Sequence, residues 1–150
     1  MYKNFHYTVT PLGCIVTEYS GHDEIVEIPE EINGRKVIEI GNCAFISNTR
    51  IKEVIIPDGV DLIGHYAFAG CSKLEKMVLP ESICKIFSNA FKDNNSLKKI
   101  QFNGTKEQWN DIHISVKNDN IYNAKISFNK QSELSKFLNI CKDTEEIRKE

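Results

Sequence analysis

The chain has 150 residues, 41% of them hydrophobic, with 19 basic against 21 acidic side chains and a net charge of −2. That length and apolar content fit one compact domain and exclude disorder as the prior, while a net charge this small supplies no long-range attraction for a phosphate backbone or an anionic membrane. No nucleic-acid partner is therefore expected, and no run approaches the roughly 18 apolar residues of a membrane span.

In chain order, Met1 to Tyr7 carries no apolar segment after Lys3, so the chain as it stands reads as unexported and cytoplasmic; as part of a longer exported protein it would sit at a cell surface. Phe5 to Thr17 is strand-like with a turn at Pro11-Leu12-Gly13, and is expected to cap the N-terminal end of a stack of coils. Asp23 to Pro29 then matches later strands, Val26 with Val54 and Ile28 with Ile56, as a degenerate first repeat. Between Pro29 and Ile40, five extra residues relative to Pro57 to Ile63 fit a hairpin turning at Asn33-Gly34.

Three copies of one pattern come next. Ile40-Gly41-x-x-Ala44-Phe45 precedes Ile51 to Pro57; Ile63-Gly64-x-x-Ala67-Phe68 precedes Leu74 to Pro80; Ile86-Phe87-x-x-Ala90-Phe91 precedes Leu97 to Phe102. The phenylalanines at 45, 68 and 91 set a period of about 23 residues, within the range of leucine-rich repeats. The segment Leu74 to Leu79 ends in alternating apolar residues and stops at a proline, which cannot donate a ladder hydrogen bond, so it reads as a short strand. Stacked copies pair into a parallel sheet, with Leu74, Met77 and Leu79 inward and Lys76 and Val78 outward. The Ala-Phe pairs fall on helical or irregular returns, their rings forming a buried ladder. Asn48, Cys71 and Asn94 occupy one further inward position, where a short polar side chain satisfies turn backbone. The expected architecture is an α/β repeat solenoid: a short, right-handed leucine-rich-repeat coil with a parallel β-sheet over residues 1–130.

The pattern Ile63-Gly64-x-x-Ala67-Phe68-x-x-Cys71-x-x-Leu74-x-x-Met77-x-Leu79-Pro80 resembles the BspA-like leucine-rich repeat family, and Ile28 to Val37 resembles that family's first-repeat variant. The resemblance covers about residues 8–129, departing where Phe87 replaces a glycine and Asn103 a proline. It implies a non-catalytic scaffold that binds a protein or a glycan, as adhesin-like members do.

Beyond the third copy, Thr105 and Gln108 have capping-box spacing, so a short helix should start there with Trp109 and Ile112 closing the last coil. The Gly104 to Trp109 run also resembles the family's terminal unit. Asn123 to Phe128 supplies a final strand. From Ser132 the spacing of Leu134, Phe137, Leu138 and Cys141 predicts an amphipathic helix over residues 131–150 that either packs back on the solenoid or serves a longer protein as a linker or a self-association contact.

Chemistry is sparse. Five cysteines without a CxxC pair fit neither a disulfide framework nor a zinc site and are expected to be reduced and mostly packed. The four histidines are scattered, and His22-Asp23 offers two ligands without a third, so neither a metal nor a cofactor is expected. No nucleophile, hydrolase or phosphate-binding motif is present, and no catalytic residue is assigned. Asn94-Asn95-Ser96 and Asn103-Gly104-Thr105 have sequon form, yet Asn94 also fits the inward ladder and Thr105 the helix cap. The remaining candidate is the outer face of the strand sheet. There Glu53, Lys76 and Lys99 follow Ile25 in one column and Ile55, Val78 and Gln101 follow Glu27 in the next, with Ile55 and Val78 as a small apolar centre for partner binding.

Overall fold

A computed structural model of the chain describes residues 1–130. The expected helix from Ser132 lies outside the described residues. An N-terminal antiparallel pair, β1 (Phe5–Val9) and β2 (Cys14–Tyr19), leads into β3 (Ile25–Glu27), then β4 (Glu31–Ile32) and β5 (Arg35–Ile40), which form the hairpin. Asn33 and Gly34 both take positive φ, 51° and 77°, the left-handed pair that a tight hairpin turn requires. The coils continue through β6 (Glu53–Ile55), β7 (Leu62–Ile63), β8 (Lys76–Pro80), β9 (Lys85–Ile86) and β10 (Lys99–Asn103). Helix α1 (Lys106–Asn110), β11 (His113–Ile114), α2 (Asp119–Asn123) and β12 (Lys125–Phe128) complete the described chain.

The strands fall into two sheets. One runs β12-β10-β8-β6-β3, all parallel; the other runs β1-β2-β5-β7-β9-β11, with β4 paired to β5. This corrects the expected α/β coil with one sheet: the solenoid has two β faces, and its two described helices are five residues each. The cause is length. A return of about a dozen residues must cross the core and come back, and extended residues rise about 3.3 Å each against 1.5 Å in a helix, so two-residue strands span it where a helix would fall short.

Between the sheets lies one continuous core. Val54, Ile56, Met77, Leu79, Ile100 and Phe102 enter from the five-stranded sheet, and Val37, Ile40, Ile63 and Ile86 from the other. The expected aromatic ladder is present, with Phe45 stacked on Phe68 at 4.9 Å between centroids and Phe68 on Phe91 at 5.4 Å. It extends one rung further than expected, because Tyr19 stacks on Phe45 at 5.4 Å and Phe5 packs against Tyr19. Burial and the hydrogen bond from its hydroxyl to Asp23, at 2.5 Å, push the Tyr19 phenol up to about 12. The exposed Asp23 carboxylate is thus engaged by the Tyr19 hydroxyl.

Backbone groups beside the ladder are satisfied from coil to coil. Tyr19, Phe45 and Phe68 donate their N–H to the carbonyls of Ala44, Ala67 and Ala90 at 2.7–2.9 Å. Phe91 has no further alanine to reach, and its N–H goes to Oδ1 of Asn118 at 3.0 Å. In the reverse sense the ladder carbonyls accept from side chains of the following coil: Phe45 from the Cys71 thiol at 3.1 Å, Phe68 from Asn94 Nδ2 at 2.8 Å and Phe91 from Asn120 Nδ2 at 2.9 Å. Buried backbone groups demand such partners, which is why small polar residues recur here.

The two departures from the repeat also have local reasons. A Cβ at Gly64 would lie 2.6 Å from the Asn42 Oδ1, which accepts from the His65 N–H, so glycine is required there. One coil on, Phe87 takes the glycine's place, with the His65 ring centroid 4.8 Å from its own and Lys85 Nζ 4.4 Å from it. Asn103 replaces the proline and accepts from Gln101 Nε2 and Asn129 Nδ2. At the C-terminal end the capping box forms as expected, Thr105 accepting from the Gln108 N–H and Gln108 Oε1 from the Thr105 N–H. Trp109 packs edge-on against Phe102 and Ile112 is buried.

Candidate functional site

The register of the five-stranded sheet fixes which outward residues are neighbours. Ile25, Glu53, Lys76, Lys99 and Lys125 pair successively across β3, β6, β8, β10 and β12, and Glu27, Ile55, Val78, Gln101 and Ser127 form the adjacent row. Both columns expected from the sequence are therefore brought together. Lys125 and Ser127, absent from that expectation, extend them. The signal was available: Lys125-Ile126-Ser127-Phe128 repeats the alternation of Lys99-Ile100-Gln101-Phe102.

One expectation fails. Val78 is not an open apolar centre but 7% exposed, and Ile55 is half-buried. Val78 sits on a middle strand with Ile55 and Gln101 directly beside it in the row, so its short side chain is covered by its neighbours. Replacing Val78 by Lys should cost about 1–2 kcal/mol, since those contacts are lost and the longer chain must bend to bring its ammonium to water. Lys99 to Glu, on an exposed position, should stay within about 0.5 kcal/mol. Paired urea melts of the two variants check this.

What the face offers is a row of charge. Glu53 and Lys76 form an ion pair at 3.2 Å, and Lys52 pairs with Glu24 at 3.1 Å on the flanking turn. Among the described residues neither Lys99 nor Lys125 is within ion-pair distance of a carboxylate. Lys76, Lys99, Gln101, Lys125 and Ser127 line a shallow cleft of about 270 Å³. Next to it, Ile25, Glu53, Lys76 and Lys99 join the flanking Glu24, Lys52, Glu75 and Lys98 around a second cleft of about 410 Å³.

The thiols divide into two kinds. Among the described residues Cys14 and Cys71 are buried, as expected, whereas Cys43 and Cys84 are exposed; Cys141 lies outside the described residues. Cys43 lies in the turn before Ala44, and Cys84 directly precedes β9 with its backbone N–H on the Asp61 carbonyl. Burial pushes the Cys71 thiol up to about 12, with a backbone hydrogen bond from Asn48 pulling more weakly the other way. In the folded protein at neutral pH, Cys43 and Cys84 should label with iodoacetamide rapidly and Cys71 only on unfolding, as read by mass spectrometry. Asn94 is 1% exposed, so in the folded chain its sequon is closed to modification. Among the described residues no group of three or more His, Cys, Asp or Glu side chains could hold a metal ion.

The comparisons with known proteins fit this geometry. The model of the BspA type leucine-rich repeat region matches residues 24–150 in six copies. The chain belongs to the BspA-type leucine-rich repeat family. Its fold is similar to that of a leucine-rich repeat protein of T. pallidum, with a TM-score of 0.68 and 27% identity over 85% of this chain and 63% of that one. A leucine-rich repeat protein of Bacteroides ovatus gives 0.64 and 24% identity over 85% of this chain and 33% of that one. One of Bacteroides capillosus gives 0.59 and 21% identity over 87% of this chain and 97% of that one. No curated protein matches. The chain thus spans 63% and 33% of the lengths of the first two structural relatives.

Proposed function

We propose that this BspA-type repeat chain is a non-catalytic scaffold that binds a macromolecular partner through the outer face of its five-stranded sheet. The observation that carries the reading is a contrast within the repeat. The inward rows keep one character from coil to coil, Val26, Val54, Met77 and Ile100 in one and Ile28, Ile56, Leu79 and Phe102 in the other. The outward rows do not, running Ile25, Glu53 and then Lys76, Lys99 and Lys125 in one and Glu27, Ile55, Val78, Gln101 and Ser127 in the other. Packing constrains the first set throughout and the second only at Val78, so the second is where a rigid solenoid can carry specificity. A non-catalytic role is supported by the chemistry at hand: the thiol set among the coils at Cys71 is protonated and enclosed, and the carboxylates of Glu24, Glu30, Glu53 and Glu81 are engaged by lysines.

A second reading, a structural unit within a longer stack, is favoured by the C-terminal end of the coil. There Trp109, Ile114, Ile126 and Phe128 remain only partly buried among the described residues.

Affinity capture separates the readings. Wild-type chain is compared with the variant Glu53→Ala/Lys76→Ala/Lys99→Ala/Gln101→Ala and with Lys92→Ala/Lys117→Ala, at exposed positions away from the five-stranded sheet. Partners retained by wild type and the second variant and lost by the first support the sheet face. Equal retention by all three folded proteins contradicts it.

A further inference from the structure

We infer that the partner presents an acidic peptide segment, whose carboxylates engage Lys99 and Lys125, with Lys76, on the C-terminal half of the sheet face. This rests on the sheet-face reading above and names the chemistry of what it takes.

The three lysines stand on adjacent parallel strands in strict register, Lys76 opposite Lys99 and Lys99 opposite Lys125. Neighbouring strands lie about 4.8 Å apart, so the three stems rise as one row. Such a row of like charges is unfavourable in the free protein, and only its first member is compensated, by Glu53 at 3.2 Å. Glu53 also closes the row at the β6 end, which makes the face polar along its length: a carboxylate on one side of Lys76 and, among the described residues, only ammonium groups and neutral donors on the other. Gln101 and Ser127 flank the lysines in the next row and line the same cleft.

Charge complementarity selects the ligand. The whole chain carries −2, so an acidic partner is weakly repelled by most of the surface and oriented towards this row. The composition of the two rows selects a peptide over other polyanions. None of their ten outward residues is aromatic. A pyranose ring is commonly held by its C–H face against an aromatic ring, and single-stranded nucleic acid by bases stacked on such rings, so both would lack their main purchase here. Carboxylates on a peptide need only ammonium and hydrogen-bond donors, which the row supplies.

The test uses the full chain and fluorescein-labelled poly-L-glutamate, followed by fluorescence anisotropy. Saturable binding is expected that weakens as salt rises, because the contacts are exposed ion pairs. Lys99→Glu/Lys125→Glu should weaken it by more than about tenfold, and Lys92→Glu/Lys117→Glu by less than about twofold, with circular dichroism showing both variants folded. If the double reversal disturbs the fold, Lys99→Gln/Lys125→Gln, which removes charge without reversing it, decides in its place. Polygalacturonate and single-stranded DNA should compete poorly. No saturable binding at low salt, equal loss in both variants, or tighter binding of polygalacturonate would each overturn the inference. Failure here alongside loss of captured partners in the four-alanine variant leaves the sheet face as a site and removes only its acidic peptide; retention of partners by that variant removes the face itself.

Discussion

Replacing Phe68 by Ala should destabilise the protein by about 3–5 kcal/mol, the range for removing a fully enclosed aromatic side chain. Phe68 is 0% exposed and is the middle rung of the ladder, with Phe45 stacked on one side and Phe91 on the other. Its removal therefore leaves a void bounded by two rings that cannot both move in, because the backbone of each is tied to the following coil, Phe45 to Ala67 and Phe91 to Asn118. The loss is a transfer term for the ring plus a cavity term, and neither is relieved by exposure. Urea denaturation of wild type and variant measures it. A loss below about 1 kcal/mol would mean that the ladder is not a principal element of the core.

The second large effect is expected at Asn118, which is 1% exposed. One side chain here takes the place that a whole further repeat fills elsewhere. Its Oδ1 takes the Phe91 N–H that has no alanine carbonyl to meet, and its Nδ2 donates to the carbonyls of Phe87 and Ser115, both at 2.9 Å. Asn118→Ala leaves the enclosed Phe91 N–H without a partner and removes one donor from each of the Phe87 and Ser115 carbonyls, of which Phe87 keeps the Ala90 N–H, and should cost about 2–4 kcal/mol. Asn118→Asp separates the roles: the carboxylate still accepts from Phe91 but now faces two carbonyls with no donor. It should be no better than alanine near neutral pH and should partly recover as the pH is lowered and the carboxyl gains a proton to donate. Urea midpoints of both variants across pH check this, and a midpoint for Asn118→Ala within about 0.5 kcal/mol of wild type would contradict the account.

Several of these features are legible in the residues, and the reason differs for each. The ladder is legible because a bulky ring beside an alanine, recurring at a fixed spacing, is what close-stacked coils around an aromatic column require. The hairpin is legible because Asn-Gly supplies two left-handed residues, and the helix start because Thr105 and Gln108 are spaced for reciprocal capping. The second sheet is not legible. Its strands β7, β9 and β11 are two residues long, with one inward side chain apiece, and no alternation can show in a pair. Tyr19 escapes as a rung because the first coil has no Ala-Phe dipeptide, although its N–H makes the same bond to Ala44.

For the candidate face, alternation along each strand fixes which residues look outward and the repeat fixes which are neighbours. Neither says how far a neighbour leans over. That is why the rows from Ile25 to Lys99 and from Glu27 to Gln101 emerge from the sequence while the enclosure of Val78 does not. It is also why the face changes character, from an apolar centre at Ile55 and Val78 to a lysine row ending in Lys125. The lysines themselves are ordinary surface residues in the sequence; they become a candidate site only through registration on adjacent strands.

The central claim, recognition by the outer face of the five-stranded sheet, is tested most directly by lysine footprinting. Free protein and its complex with the captured partner are acetylated in parallel and the modified lysines quantified by mass spectrometry. Lys76, Lys99 and Lys125 should be protected in the complex, while Lys85 on the opposite sheet and Lys92 on the return should label as in the free protein. Unchanged labelling of Lys76, Lys99 and Lys125 together with protection of Lys85 would contradict the claim and move recognition to the other face of the solenoid.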